Sequence, residues 1–232
     1  MNIHFHGHSC FEIEGKAGRL IIDPFLTGNP STTAKPEDFT QLDGILVTHG
    51  HSDHLGDAIQ LSKQTGAPII AVFELAAYCQ SQGANTHGMH IGGKCKFPFG
   101  WVKLTQALHG SGVENPEGGD MIYVGPPCGF LIQIEEKWLY HAGDTGLFGD
   151  MELIGRRYPV AVAMLPIGDN FGMGIEEAVQ ASQLLRPKVV IPMHYNTFPR
   201  IVQDVADFEH LLQRRAPESK ARVLRPGEMF MA

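Results

Sequence analysis

The tightest constraint on this chain is a junction, where the apolar run Gly44-Ile45-Leu46-Val47 passes directly into Thr48 to Asp57, THGHSDHLGD. The run reads as a short buried strand, so His49, His51, Asp53 and His54 emerge together at its carboxyl end. Three imidazoles and a carboxylate within six residues are costly to crowd and desolvate without a cation, because each needs a hydrogen-bond or charge partner. Imidazole nitrogens and carboxylate oxygens are the ligands that zinc, iron and manganese share, and Gly50 and Ser52 are small enough to let the backbone fold around an ion. A solvated polar turn is the alternative in a chain with 12 histidines, but it leaves the spacing unexplained. The fold therefore has to provide a rigid strand end and bring further ligands to it.

The rest of the chain can build a large core around that junction. It has 232 residues, 43% hydrophobic and 19% charged, which fits one globular domain over residues 1–232. A net charge of -7 and the lack of a basic run exclude a dedicated nucleic-acid surface, which needs clustered lysine and arginine. Gln213-Arg214-Arg215 is better read as the end of a helix, where cations favour the dipole. The amino-terminal MNIHFHGHSC lacks the basic stretch and apolar core of a signal peptide, and nothing approaches a membrane span. The expectation is a cytoplasmic protein with no membrane or nucleic-acid partner, a small-molecule substrate, and a surface compatible with a homo-oligomer. Cys10, Cys79, Cys95 and Cys128 form no C-x-x-C pair and read as reduced, mostly buried thiols.

Periodicity gives strands at Ile3 to His6, Cys10 to Glu14, Arg19 to Asp23 and Gly44 to Thr48, then a helix at about Leu55 to Lys63, a strand at Pro68 to Val72 and a helix at Glu74 to Gln82. Between His90 and Tyr140 the pattern returns to strands, clearest at Trp101 to Ala107, Gly129 to Glu135 and Lys137 to Tyr140. Strands at Val160 to Leu165 and Val189 to Pro192 flank a helix carrying Ile175, Ala178, Val179, Ser182 and Leu185 on one stripe. A last helix with Ile201, Val205, Phe208 and Leu212 precedes strands at Arg222 to Leu224 and Glu228 to Met231. The pattern implies two sheets packed face to face with helices on the outer faces. A weak echo suggests two halves: a strand ending near an aspartate and a later strand ending in a histidine occur twice, as Asp23 then His49 and as Asp144 then His194. The spacings are 26 and 50 residues, a hint of duplication and not a repeat array.

Three later segments repeat the junction's design, with a ligand-type side chain where a strand meets a turn: Leu108-His109-Gly110-Ser111-Gly112, His141-Ala142-Gly143-Asp144-Thr145-Gly146 and Pro192-Met193-His194-Tyr195-Asn196. Singly each is weak, since an aspartate before Thr-Gly also forms Asx turns. With HxHxDH at 49–54 they occur in the order of the metallo-β-lactamase superfamily, which the chain resembles over nearly its whole length. Within it, FHGHSC, IDPFLTGNP and PIGDNFGMG are similar to the small metal-dependent hydrolases related to ascorbate-6-phosphate lactonase. The resemblance implies a four-layer αββα sandwich of two pseudo-related halves, in the α+β/α/β class. It also implies a division of ligands: His49, His51 and His109 for one metal, Asp53, His54 and His194 for a second, and Asp144 bridging.

Such a site would be a hydrolase of small ester, lactone or phosphorylated substrates. Two divalent ions, zinc first, with manganese, iron or nickel suiting the same donors, would generate a bridging hydroxide at neutral pH. Asp53 would orient the nucleophile or move a proton. A phosphodiesterase or nuclease on the same scaffold and a non-catalytic metal binder are the alternatives; the first lacks a basic surface, and the second would be expected to have lost ligands. A diiron redox role fits less well, because those relatives carry glutamate where this chain has His51.

Around the ligands, Asp23 and Asp57 either accept hydrogen bonds from ligand histidines or cap local turns. His8, Asn170 and Phe171 are the candidate substrate contacts. His6 and His8 read first as ordinary strand-end histidines and second as edges of the pocket, whereas Phe171 and Met173 read first as pocket lining and second as core beneath the loop 168–174. His87, His90, His141 and His210 are assigned to structure or surface.

Overall fold

The computed structural model describes residues 1–115 and 118–232. The chain begins with β1 (Asn2–Gly7), β2 (Cys10–Gly15) and β3 (Gly18–Ile22), an antiparallel meander. β4 (Gly44–Leu46), α1 (Ser52–Leu55), α2 (Ala58–Thr65), β5 (Ile69–Val72), α3 (Phe73–Ser81) and β6 (Thr86–Met89) then alternate strand and helix. The second half comprises β7 (Lys94–Phe97), β8 (Gly100–Gln106), a small hairpin of β9 (Gly112–Val113) and β10 (Ile122–Tyr123), then β11 (Cys128–Ile134) and β12 (Lys137–His141). It closes with α4 (Met151–Arg157), β13 (Val160–Pro166), α5 (Ile175–Leu185), β14 (Val189–Met193), α6 (Val205–Arg215), β15 (Lys220–Ala221) and β16 (Met229–Met231).

The strands form two seven-stranded sheets, ordered β16-β1-β2-β3-β4-β5-β6 and β7-β8-β11-β12-β13-β14-β15. Read in parallel, the two orders match strand for strand. Each has an antiparallel edge, then a three-strand antiparallel meander, then three parallel strands. Parallel strands are buried on both faces, which is why β4 reads GIL and β5 IIAV with every residue buried. β1 alternates half-buried and buried residues instead, as a strand with one covered face does. Helices α2 and α3 pack on the first sheet, while α5 and α6 pack on β13 and β15 of the second. The result is the expected αββα sandwich. No helix among the described residues is long and apolar enough to cross a membrane.

The topology also corrects the echo in the sequence. β3 corresponds to β12, so Asp23 and Asp144 do follow equivalent strands. His49 follows β4, whose counterpart is β13, whereas His194 follows β14, the counterpart of β5. The halves share a plan, but the two histidines are not equivalent positions.

Several element boundaries differ from those the sequence implies. The helix expected from Leu55 to Lys63 is broken at Gly56, where φ is +41° and an added Cβ would collide with the Pro24 carbonyl oxygen. The chain needs that close approach to turn between α1 and α2. The last helix does not include Ile201, which belongs to a 3-10 turn at Pro199–Ile201; α6 starts only after Asp204, whose carboxylate accepts from Ala206 N at 2.9 Å. The strand expected at Arg222 to Leu224 is confined to Lys220–Ala221, paired with β14. Helix α4 has no counterpart in the sequence reading; only Met151 is fully buried along it, so its apolar stripe is too thin to detect.

Candidate metal centre

The two sheets meet at one end, and three contacts fasten them there. Cys128 N donates to Thr48 O at 2.9 Å, and His194 N donates to His8 O at 2.8 Å. The buried His141 ring lies 3.0 Å from Ser9 O through Nε2, while its Nδ1 accepts from Gly143 N at 3.2 Å. His141 is thus a structural pin between β12 and the β1–β2 turn. These bonds hold the loops that follow β4, β12 and β14 in one place, and Leu108 N, donating to Thr145 Oγ1 at 2.9 Å, ties the loop after β8 to them.

All seven expected ligand residues converge there. Single donor atoms of His49, His51 and His109 lie within 4.8 Å of one another, and so do those of Asp53, His54 and His194, with His8 in the same group. A third group, His49, His54 and Asp144, links the two. Asp144 Oδ2 is 2.9 Å from His194 Nε2 and 3.6 Å from His109 Nε2, while its Oδ1 is 3.3 Å from His54 Nε2. One carboxylate therefore touches both sets.

Asp23, entirely buried, organises the first loop from behind. Its carboxylate accepts from Thr48 N and Thr48 Oγ1, both at 2.8 Å, and from His54 Nδ1 at 2.8 Å. The Thr48 hydroxyl has spent its proton on Asp23, so it accepts from His49 Nδ1, 2.9 Å away. Both imidazoles thereby give their Nδ1 proton to this hub and turn Nε2 towards the site, His49 Nε2 to 2.9 Å from His51 Nδ1 and His54 Nε2 to 3.3 Å from Asp144 Oδ1. Asp57 does not share this role: its Oδ2 accepts from Leu26 N at 3.1 Å and Thr27 N at 2.8 Å and pins the loop after β3.

The charge state of the cluster fits a cation. Burial pushes the His49, His51 and His109 imidazoles below their ordinary range and so keeps them neutral. At His54 burial acts the same way, but Asp144 and Asp23 outweigh it and hold the imidazole well above its ordinary range. Burial alone would raise Asp53 and Asp144, yet His8 at the first and His194 and His54 at the second hold both well below the carboxylate range. His54 Nε2 and Asp144 Oδ1 are buried with no hydrogen-bond partner. Two orphaned polar atoms facing each other in an interior are expensive unless something positive joins them.

The remaining sequence-derived candidates separate on inspection. His8 is buried behind Asp53, with Nε2 3.1 Å from Asp53 Oδ2 and Nδ1 2.9 Å from Thr197 Oγ1. Its backbone is left-handed, φ +57°, as is that of His194, φ +54°, a strain typical of functional turns. Phe171 lines the cavity over the ligands, which measures about 280 Å³, together with His51, Ser52, Asp53, His109, Gly112, Glu114, Met121, Asp144 and His194. Asn170 is exposed beside it and does not line the cavity, and Met173 is core. His6 pairs with Glu12 at 3.0 Å, His87 meets Phe97 edge to face, His90 stacks on Phe73, and His210 is exposed on α6. Sequence reasoning missed Thr48, Thr197, Glu114 and Met121. Thr48 was detectable, since it separates a buried strand from the first ligand; Thr197 carries no local signal.

Comparison with known proteins places the fold among metal-dependent hydrolases. The beta-lactamase superfamily domain family matches residues 18–195. A UPF0173 metal-dependent hydrolase of Desulfitobacterium hafniense is 66% identical over 232 residues, covering 100% of this chain and 98% of that protein. The solved structure of Igni18, a metallo hydrolase of the archaeon Ignicoccus hospitalis, has a TM-score of 0.89 and 38% identity, covering 100% of this chain and 98% of that one. An isothiocyanate hydrolase from Delia radicum gut bacteria shares the fold, with a TM-score of 0.75 at 19% identity and coverage of 100% and 99%.

Proposed function

We propose that this chain, which belongs to the beta-lactamase superfamily and within it to the UPF0173 metal-dependent hydrolases, holds two divalent ions and hydrolyses a small ester-like, lactone or phosphorylated substrate in the cytoplasm. The observation that carries the reading is Asp144. Its carboxylate joins two sets of three donors, and its Oδ1, buried without a hydrogen-bond partner, lies 3.3 Å from His54 Nε2. His49, His51 and His109 would hold one ion, Asp53, His54 and His194 the other, and zinc is the first expectation for a set of imidazoles with few carboxylates. Such ions polarise a substrate oxygen and lower the pKa of water from about 15.7 towards about 7.

The protein's own share of the chemistry is positioning and proton handling. Asp53 stands on the cavity wall and is steadied from behind by His8, so it aims the attacking water and takes its proton. The water oxygen bonds to the carbonyl or phosphoryl centre, the bond to the leaving oxygen breaks, and the proton passes to that oxygen. Metal analysis of protein purified without added metal, followed by a screen of lactones, thioesters and phosphodiesters, tests the proposal. About two ions per chain with turnover is expected. Fewer than about one per chain at saturation, with no hydrolysis, overturns it.

A further inference from the structure

The walls of the cavity, beyond the ligands, carry information about the substrate. We infer that the group flanking the reacting centre is an uncharged, apolar acyl chain or ring, and not a phosphate or carboxylate; this rests on the hydrolase reading above.

The wall opposite the ligand loop is built from Met121 and Phe171, which are 56% and 43% exposed. The β9–β10 hairpin supplies Met121 and continues outward through Ile122 and Tyr123, also exposed. This is a docked element. Gly50 N, between two ligand histidines, donates to Ser111 Oγ at 3.1 Å, and a Cβ at Gly50 would lie 2.5 Å from Val124 and 3.0 Å from Val113. Glycine at 50 thus lets the hairpin sit directly on the ligand loop, and its apolar side chains have a fixed place in the mouth.

The polar part of the wall points the same way. None of the described lining residues is lysine or arginine, and the one charged side chain outside the ligand set is Glu114, a carboxylate exposed at the rim. An anionic tail entering this space would leave water and, away from the bound ions, meet Glu114 as the one charged side chain among the described wall residues outside the ligand set. An apolar tail would cover Met121 and Phe171. The cavity of about 280 Å³ is at the small end for ligand sites, which suits a short chain or a single ring.

Hydroxamic acids, which anchor on bound metal whether or not the protein turns over a substrate, separate the tail from the reaction. Calorimetric titration of the metal-loaded full chain should show affinity rising from aceto- to butyro- to hexanohydroxamate by about fourfold per methylene. Hexanohydroxamate should bind at least about tenfold tighter than the chain-matched hydroxamate ending in a carboxylate. Met121→Ser should flatten the gain with chain length, and Glu114→Gln should narrow the discrimination against the charged tail. Equal or tighter binding of the charged tail overturns the inference, as does no binding of any of these probes to protein shown to hold metal. Selective hydroxamate binding without hydrolysis of hexanoyl esters, thioesters or lactones would sustain the apolar wall and count against the hydrolase reading. Hydrolysis with no preference among tails would do the reverse.

Discussion

The two halves of the molecule share one strand plan and supply the metal centre in opposite ways. The first half places His49, His51, Asp53 and His54 on the single loop after β4. The second gives one ligand each from the loops after β8, β12 and β14, with His109, Asp144 and His194 far apart in sequence. A ligand cluster on one loop needs only a rigid strand end and a local hydrogen-bond hub, here Asp23. A distributed set exists only when a whole sheet is in register. The donors of the first half are therefore local to one loop, and those of the second come together only through the second sheet.

The largest effect expected from that contrast is at Asp144. Asp144→Asn should reduce bound metal from about two ions to one or fewer and lower turnover by about a thousandfold or more, because the carboxylate that touches both sets is gone. Two ions retained, by elemental analysis, would break the bridging role. Asp53→Ala comes next. It leaves His49, His51 and His109 intact, so at least one ion should remain while turnover drops about a hundredfold or more through loss of proton handling. Unchanged turnover with metal bound would remove Asp53 from the catalytic assignment.

The same contrast explains what could be read from sequence. The ligands on the β4 loop announce themselves because three imidazoles and an aspartate stand within six residues after a buried strand. His109, Asp144 and His194 have no such density, and their membership came from matching the order of a known superfamily. Their convergence is a property of the second sheet, including the parallel register that sets Met164 beside His141 and Ile191, and no local pattern encodes that. His8 shows the limit from the other side. From sequence it was a candidate substrate contact; the β1–β2 turn buries it behind Asp53, a long-range packing result. The helix break at Gly56 was missed for the same reason, since the clash it avoids is with Pro24, 32 residues upstream.

A finer test lies within the first half. Asp23 addresses His54 directly and His49 through Thr48. Asp23→Asn should weaken binding of both ions by about 10- to 100-fold, the usual cost of losing a partner behind a ligand histidine. Thr48→Val should weaken only the ion held by His49, because His54 keeps its bond to Asp23. Metal affinities measured by chelator competition decide it; equal losses at both ions in Thr48→Val would show that the hydroxyl holds the loop and not one ring.

The smallest effect belongs to a charge cluster in the same half that serves the scaffold alone. Glu12 on β2 is buried and paired with Arg19 Nε at 2.5 Å and His6 Nε2 at 3.0 Å. Burial by itself would raise its pKa, but the bonds from His6 and Arg19 prevail and hold it at about 2. A carboxylate depressed in the folded state stabilises it at pH values above the unfolded pKa of about 4.3 and loses that contribution as pH falls towards the folded value. Glu12→Gln should therefore cost on the order of 2 kcal/mol at pH 7 and flatten the fall in stability between about pH 4.3 and 2. Denaturant unfolding of metal-free protein, wild type minus variant, isolates the effect from the titration of the ligands. A slope unchanged by the substitution would mean that the cluster is no more than a solvated ion pair.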